Sequence, residues 1–105
     1  LLAMRNQLYA ALTRYGTPVQ TFSLIHADLH PSNVVIDGAR VALIDFDDCG
    51  FGWHQYDFAA ALNTYRSHPG FARFRNGFIA GYRSIRAISD EDLGLLPMFL
   101  GFLKP

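Results

Sequence analysis

The sequence has one cysteine, one lysine and one tryptophan, no net charge, and no apolar run long enough to cross a bilayer. Each shortage excludes something. A lone Cys49 forms no internal disulfide, and without a clustered Cys/His set there is no structural zinc site, so a reducing compartment, the cytoplasm, is the expected setting. Nine basic residues balance nine acidic ones, which removes the overall positive charge that binders of nucleic acid use. Neither nucleic acid nor a membrane is an expected partner. The N-terminal "LLAMRNQLYAALTRYG" lacks the basic-then-apolar order of a signal peptide, and there is no internal repeat or low-complexity segment. Leu1 is not an initiator methionine and the chain stops inside the apolar run "PMFLGFLKP", so its 105 residues are expected to be one partial domain of a larger protein.

What the chain does have is unevenly placed. Residues 26 to 57 hold six aspartates against the single Arg40, whereas residues 58 to 86 hold five arginines and no acid. The first segment has oxygen ligands for a cation and the second has charge for phosphate, although solvated surface charge is the commoner source of such patterns.

Leu1, Met4, Leu8, Leu12 and Tyr15 recur every three to four residues and end at Gly16, which predicts a helix over 1–15. "FSLIHA" is a short apolar lead into a polar cluster, "HADLHPSNVVID", which Pro31 marks as a loop by forcing His30 towards an extended backbone. Two β-branched runs around Asp37-Gly38 predict a hairpin, with strands near 34–36 and 41–44. From Trp53 the pattern turns helical, with Tyr56, Ala59, Ala60, Asn63 and Tyr65 along one side. A further helix is expected over Phe71 to Arg83 with Phe71, Phe74, Phe78 and Tyr82 as a core stripe, and another from Ser89, whose hydroxyl caps it and whose followers Asp90, Glu91 and Asp92 suit the positive end of the helix dipole. Pro97 would kink this last helix. Cys49 and Trp53 read as packing residues, and Arg66, Arg73, Arg75, Arg83 and Arg86 as solvated helix faces.

A hairpin that starts just after Asn33 returns the chain to its starting point, so Asp45 should end near Asn33 and Asp28. Asn33 and Asp45 offer the hard oxygen ligands that magnesium takes, and Asp28 is left free to accept a proton. An Asp, four residues, an Asn and then an Asp-Phe pair reproduce in spacing the catalytic and metal residues of the protein kinases, in Asp28, Asn33 and Asp45-Phe46.

"HADLHPSNVVID" followed by "VALIDFDDCGFGWHQYDFA" resembles the aminoglycoside phosphotransferase and choline kinase family, the kinase-like small-molecule phosphotransferases, closely over about residues 24–62. The resemblance implies an α+β, mainly helical, protein-kinase-like C-terminal lobe in which a small β-hairpin bears the site and from which the N-terminal lobe is absent. The catalytic loop and metal hairpin would span 24–50 and the helical remainder 53–105. It implies ATP-dependent transfer of the γ-phosphoryl to a hydroxyl of a small acceptor, with Asp28 as base and with Asn33 and Asp45 holding Mg2+. Asp47 is a further metal candidate if the strand continues past Asp45. His26 and Asp57 would brace the loop, and His30 and Asp48 are candidate contacts to phosphate or substrate. Ala27 stands where the family most often has glycine, a departure that a right-handed or extended backbone would tolerate. The phosphate-covering loop and strand lysine of the N-terminal lobe have no counterpart here, the only lysine being Lys104, so whether this lobe acts alone is left open.

Two other readings remain at this point. His26, Asp28 and His30 alternate like the ligands of a metal-dependent hydrolase. A kinase-like lobe can also serve as a non-catalytic binding module.

Overall fold

The computed structural model describes residues 2–103; Leu1 and Lys104, which entered the sequence reading, lie outside them. Helix α1 (Leu2–Tyr15) stops where Gly16 takes a left-handed φ of 75° and its N–H closes on the Leu12 carbonyl at 2.9 Å. Strand β1 (Phe22–Ile25) pairs antiparallel with β4 (Gly50–Trp53), Phe22 opposite Trp53 and Ile25 opposite Gly50. Between these partners the chain makes an excursion into the hairpin of β2 (Val34–Asp37) and β3 (Arg40–Leu43), preceded by a single 3-10 turn at Pro31–Asn33. Gly38 alone of the two turn residues has a positive φ, 61°, the pattern of a type II′ hairpin. The two segments that lead out to the hairpin and back, 26–33 and 44–49, therefore start from one strand pair and meet the other, and they carry most of the polar residues.

The helices form the support. α2 (His54–Asn63) is central, packed against α5 (Leu96–Phe102), α3 (Phe71–Arg83) and the β1–β4 pair, with the short α4 (Asp90–Leu93) completing the set. Phe58, Ala59 and Leu62 of α2 meet Ile79, Ile88, Leu93, Leu96 and Phe99 in one core. The buried side of α2 is thus Gln55, Phe58, Ala59 and Leu62, rotated from the expected side, on which Tyr56, Ala60, Asn63 and Tyr65 are only half-buried. On α3, Phe71, Phe78 and Tyr82 pack against the core as expected, while Phe74 stays 45% exposed and stacks on Tyr65 at 4.6 Å between ring centroids.

Ser89 caps α4 by accepting the Asp92 N–H at 3.0 Å. The expected continuous helix is nonetheless two: the chain turns at Gly94 and Leu95, and Pro97 lies in the first turn of α5, where its missing N–H has no partner to lose. A partly buried polar joint ties the end of α1 to α2 and α4. The Tyr15 hydroxyl meets Asp92 Oδ1 at 2.8 Å and Thr21 Oγ1 at 2.5 Å, and fully buried Gln55 donates to the Tyr15 oxygen and to the Asp92 carbonyl.

Three of the arginines read as solvated have structural partners. Arg83 donates twice to the Ile88 carbonyl and pairs with Asp90, Arg86 donates to the Gln20 carbonyl, and Arg66 to that of Leu103. Cys49, expected to pack, is exposed. No helix among the described residues is long and apolar enough to cross a membrane.

Candidate active site

The loop after β1 is held from below by α2. Asp57 lies one turn into that helix, and its two carboxylate oxygens accept the consecutive backbone N–H groups of His26 (3.0 Å) and Ala27 (2.9 Å). Ala27 adopts a φ of 71°, so the right-handed or extended backbone expected there is not what forms. The left-handed turn sends the next N–H, that of Asp28, back to Nδ1 of the His26 ring at 3.1 Å. His26 Nε2 then donates to the Ile44 carbonyl at 2.8 Å, and the ring packs on Phe46 at 4.7 Å.

Those two bonds fix the tautomer, because Nδ1 must accept and Nε2 must donate. They also occupy both nitrogens, so His26 has none to offer a metal. Among the described residues no three of His, Cys, Asp and Glu gather as a metal site would need. The His26/Asp28/His30 hydrolase therefore has no ligand set.

Asn33, only 6% exposed, fastens the far end of the loop. Its Nδ2 donates to the Asp28 carbonyl at 2.9 Å and approaches Asp28 Oδ2 and His30 Nε2, each at 3.3 Å. Since all three contacts use the nitrogen, Oδ1 is left without a hydrogen bond among the described residues. His30 and Asp28 side chains stand 3.5 Å apart, both about 40% exposed, which in water is a weak pair.

The hairpin delivers the second acidic group. The Ile44 N–H donates to the Asn33 carbonyl at 2.9 Å, extending the ladder one residue past β3 and setting Asp45 beside the start of the hairpin. Asp45 takes a left-handed φ of 60°; it and Ala27 are the only non-glycine residues with positive φ among those described. Such strain is retained where surroundings over-determine it, often at functional sites. The strand does not continue as the reading of Asp47 required: β3 ends at Leu43, and Asp47 and Asp48 lie in a turn closed by the Cys49 N–H on the Phe46 carbonyl. Asp45, Asp47 and Asp48 side chains are exposed and make no hydrogen bond or ion pair among the described residues.

Two residues beside the loop were not singled out by the sequence reading as site candidates. Burial, with the charges of Asp28, Asp57 and Asp48 adding to it, holds the Tyr56 hydroxyl above the usual phenol range, so it stays protonated. Its neighbour on α2, Asp57, was the only signal. Tyr56 also lines a groove of about 420 Å³ with Leu12, Ile25, Ala27, Trp53 and Phe99. On the other side of the loop His54 joins Ser23 Oγ at 2.6 Å to the Tyr82 hydroxyl at 3.3 Å. Burial, then the charge of Arg86, lowers the His54 pKa from 6.5, with Asp57 opposing.

Known proteins resemble this chain in sequence and fold. The model of the phosphotransferase enzyme family matches residues 1–93. A homoserine kinase of Mesorhizobium japonicum is 38% identical over 79 residues, covering 71% of this chain and 25% of the relative, and an amicoumacin kinase of Bacillus subtilis is 28% identical over 104 residues, covering 90% and 31%. Among solved structures, a microcompartment-associated aminopropanol kinase superposes with a TM-score of 0.82 at 36% identity, and an amicoumacin kinase in complex with AMP-PNP, Ca2+ and Ami with 0.82 at 29%. Each covers 94% of this chain and has 32% of its own length covered. The chain thus spans a quarter to a third of the relatives it matches.

Proposed function

The chain belongs to the phosphotransferase enzyme family, and on that premise we propose that the whole protein transfers the γ-phosphoryl of ATP to a hydroxyl of a small-molecule acceptor. The observation that supports this reading is the return of the β2–β3 hairpin onto Asn33, whose amide nitrogen is in turn bonded to Asp28. On this reading one base candidate and two oxygen ligands share one end of the lobe. The donor set fits a hard divalent cation: Asn33 is anchored through nitrogen with Oδ1 unused, and the Asp45 carboxylate is unpaired among the described residues. Magnesium held there would neutralise charge on the phosphates during transfer.

Asp28 takes the proton of the acceptor hydroxyl as that oxygen bonds to the γ-phosphorus and the bond to the ADP oxygen breaks. Its main contribution is orientation, because a carboxylate is a weak base at neutral pH. Asp57 and His26 hold the loop that aims it. We assign the acceptor to the groove beside Ala27 and Tyr56, whose volume of about 420 Å³ is in the range of small-molecule sites. The exposed apolar residues of the hairpin, Ile36 and Val41 among them, we assign to contact with an N-terminal lobe and the nucleotide it brings.

Manganese binding followed by electron paramagnetic resonance, with and without ATP, tests the assignment. Binding should tighten with ATP and be lost in Asp45→Asn. Binding that ignores both would remove the reading.

A further inference from the structure

The groove of about 420 Å³ beside Ala27 has a chemical sign. Its wall is mostly hydrocarbon, from Leu8 and Leu12 of α1, Trp53 at the end of β4, and Phe99 of α5. The indole N–H of Trp53 already donates to the Gly16 carbonyl at 2.8 Å, so it has nothing to offer a ligand. The Tyr56 hydroxyl stays protonated and makes no hydrogen bond among the described residues, which leaves it free to donate. Arg5 is the one charged side chain in the lining, exposed and without a hydrogen bond or ion pair among the described residues. It is not a stray surface charge: Arg5, Leu8 and Leu12 follow one another at intervals of three and four along α1, so they share one face.

The donor and acceptor inventory then decides what fits. No carboxylate, carboxamide or aliphatic hydroxyl lines the groove. An ammonium placed in it would find phenol oxygens as its only side-chain acceptors and a guanidinium for a neighbour. A carboxylate would find a fork of N–H donors that matches it two to two, with a phenol beside it. Asp28, one residue past Ala27 at the border, is the nearest acid in the chain, and on the acceptor reading its oxygens face the reacting hydroxyl.

We propose that the acceptor is a hydroxyl-bearing carboxylate with an apolar body, the body lying on Trp53, Tyr56 and Phe99 and the carboxylate on Arg5, which makes Arg5 the specificity-determining residue. The inference rests on this groove being the acceptor site. Acceptors whose only charge is an amine are disfavoured by the same set of groups.

Probes that share one ring and one hydroxyl separate charge from shape: the meta and para isomers of (hydroxymethyl)benzoate, (hydroxymethyl)benzamide and (hydroxymethyl)benzylamine. In the whole native protein with ATP, kcat/KM for the better benzoate isomer should exceed that for the benzylamine of the same substitution by about tenfold. Arg5→Gln should cost the benzoate about tenfold more than it costs the benzamide, through KM and not kcat, because the contact is as strong in the ground state as in the transition state. Arg5→Glu should reverse the order and put the benzylamine first. Arg5 is exposed, so neither variant threatens the fold. A native protein that favours the benzylamine, or an Arg5→Gln loss equal for benzoate and benzamide, would overturn the inference.

Calorimetric binding of the same probes without ATP reads the groove apart from the reaction. Arg5-dependent binding of a benzoate, in a protein that phosphorylates none of the probes, would uphold the preference for an anion and count against the groove as the acceptor site. Active protein that binds the probes without regard to their charge would leave the acceptor reading standing and overturn the anion. Failure of either benzoate to bind at millimolar concentration would overturn it as well.

Discussion

Replacing Asn33 with aspartate changes one nitrogen into an oxygen, and its consequences can be worked from the contacts. The amide nitrogen that donated to the Asp28 carbonyl at 2.9 Å is gone, which costs about 1 kcal/mol. In its place a charged oxygen stands 3.3 Å from Asp28 Oδ2. Two like charges at that separation repel by between about 1 and 5 kcal/mol as the effective dielectric goes from ~80 to ~20. The Asp28 side chain is 39% exposed, so the lower half of that range applies. The variant should therefore be destabilised by about 3 kcal/mol in metal-free buffer. Asn33→Ala loses the hydrogen bond and some packing without the repulsion, and should cost about 1–2 kcal/mol. Magnesium distinguishes the two. If Asn33 and Asp45 hold the cation, the added carboxylate strengthens the site, and a concentration near ten times its dissociation constant restores about 1.4 kcal/mol to Asn33→Asp and almost nothing to Asn33→Ala. Urea unfolding with and without the cation measures all four quantities. An aspartate variant no less stable than the alanine variant, or a magnesium effect equal in both, would refute the placement of these oxygens.

Asp28→Asn should lower turnover by about a thousandfold while nucleotide binding, followed by calorimetry, stays nearly intact; equal losses in both would contradict its role. His54 gives a pH dependence whose sign follows from burial. Its folded pKa is below 6.5, so between that value and 6.5 the unfolded chain binds more protons, and stability is whole above 6.5 and declines as pH falls through the folded value. In His54→Gln that component of the urea midpoint against pH should vanish, and an unchanged slope would assign it to other histidines. Leu96 is completely buried in the core, and Leu96→Ala should cost about 2–5 kcal/mol in urea unfolding; a loss under about 1 kcal/mol would mean that α5 is not part of the cooperative unit.

Local rules carried the sequence reading wherever one residue decides an outcome. Gly16 ended α1, Gly38 sat in the hairpin turn, and Ser89 capped α4, each through its own backbone or hydroxyl. The α+β, mainly helical lobe followed from those signals together with the family resemblance. The β1–β4 pair was illegible because its partners are short, one strand is half glycine, and the pairing joins residues some thirty positions apart. The face of α2 was misjudged because Gln55 is polar, although its spacing to Phe58, Ala59 and Leu62 is that of a buried helical stripe. Nothing local marked the left-handed turn at Ala27, which Asp57 imposes from thirty residues away.

The joint of Tyr15, Thr21, Gln55 and Asp92 has a temporal side. Asp92 follows Tyr15 by 77 residues, so at synthesis rates of about 5 to 20 residues per second it becomes available roughly 4 to 15 s later. Until then Tyr15 lacks the Asp92 carboxylate and Gln55, once made, lacks the Asp92 carbonyl, and water must serve their polar atoms. A chain halted before Asp92 would keep a wet seam between its first helix and its central one.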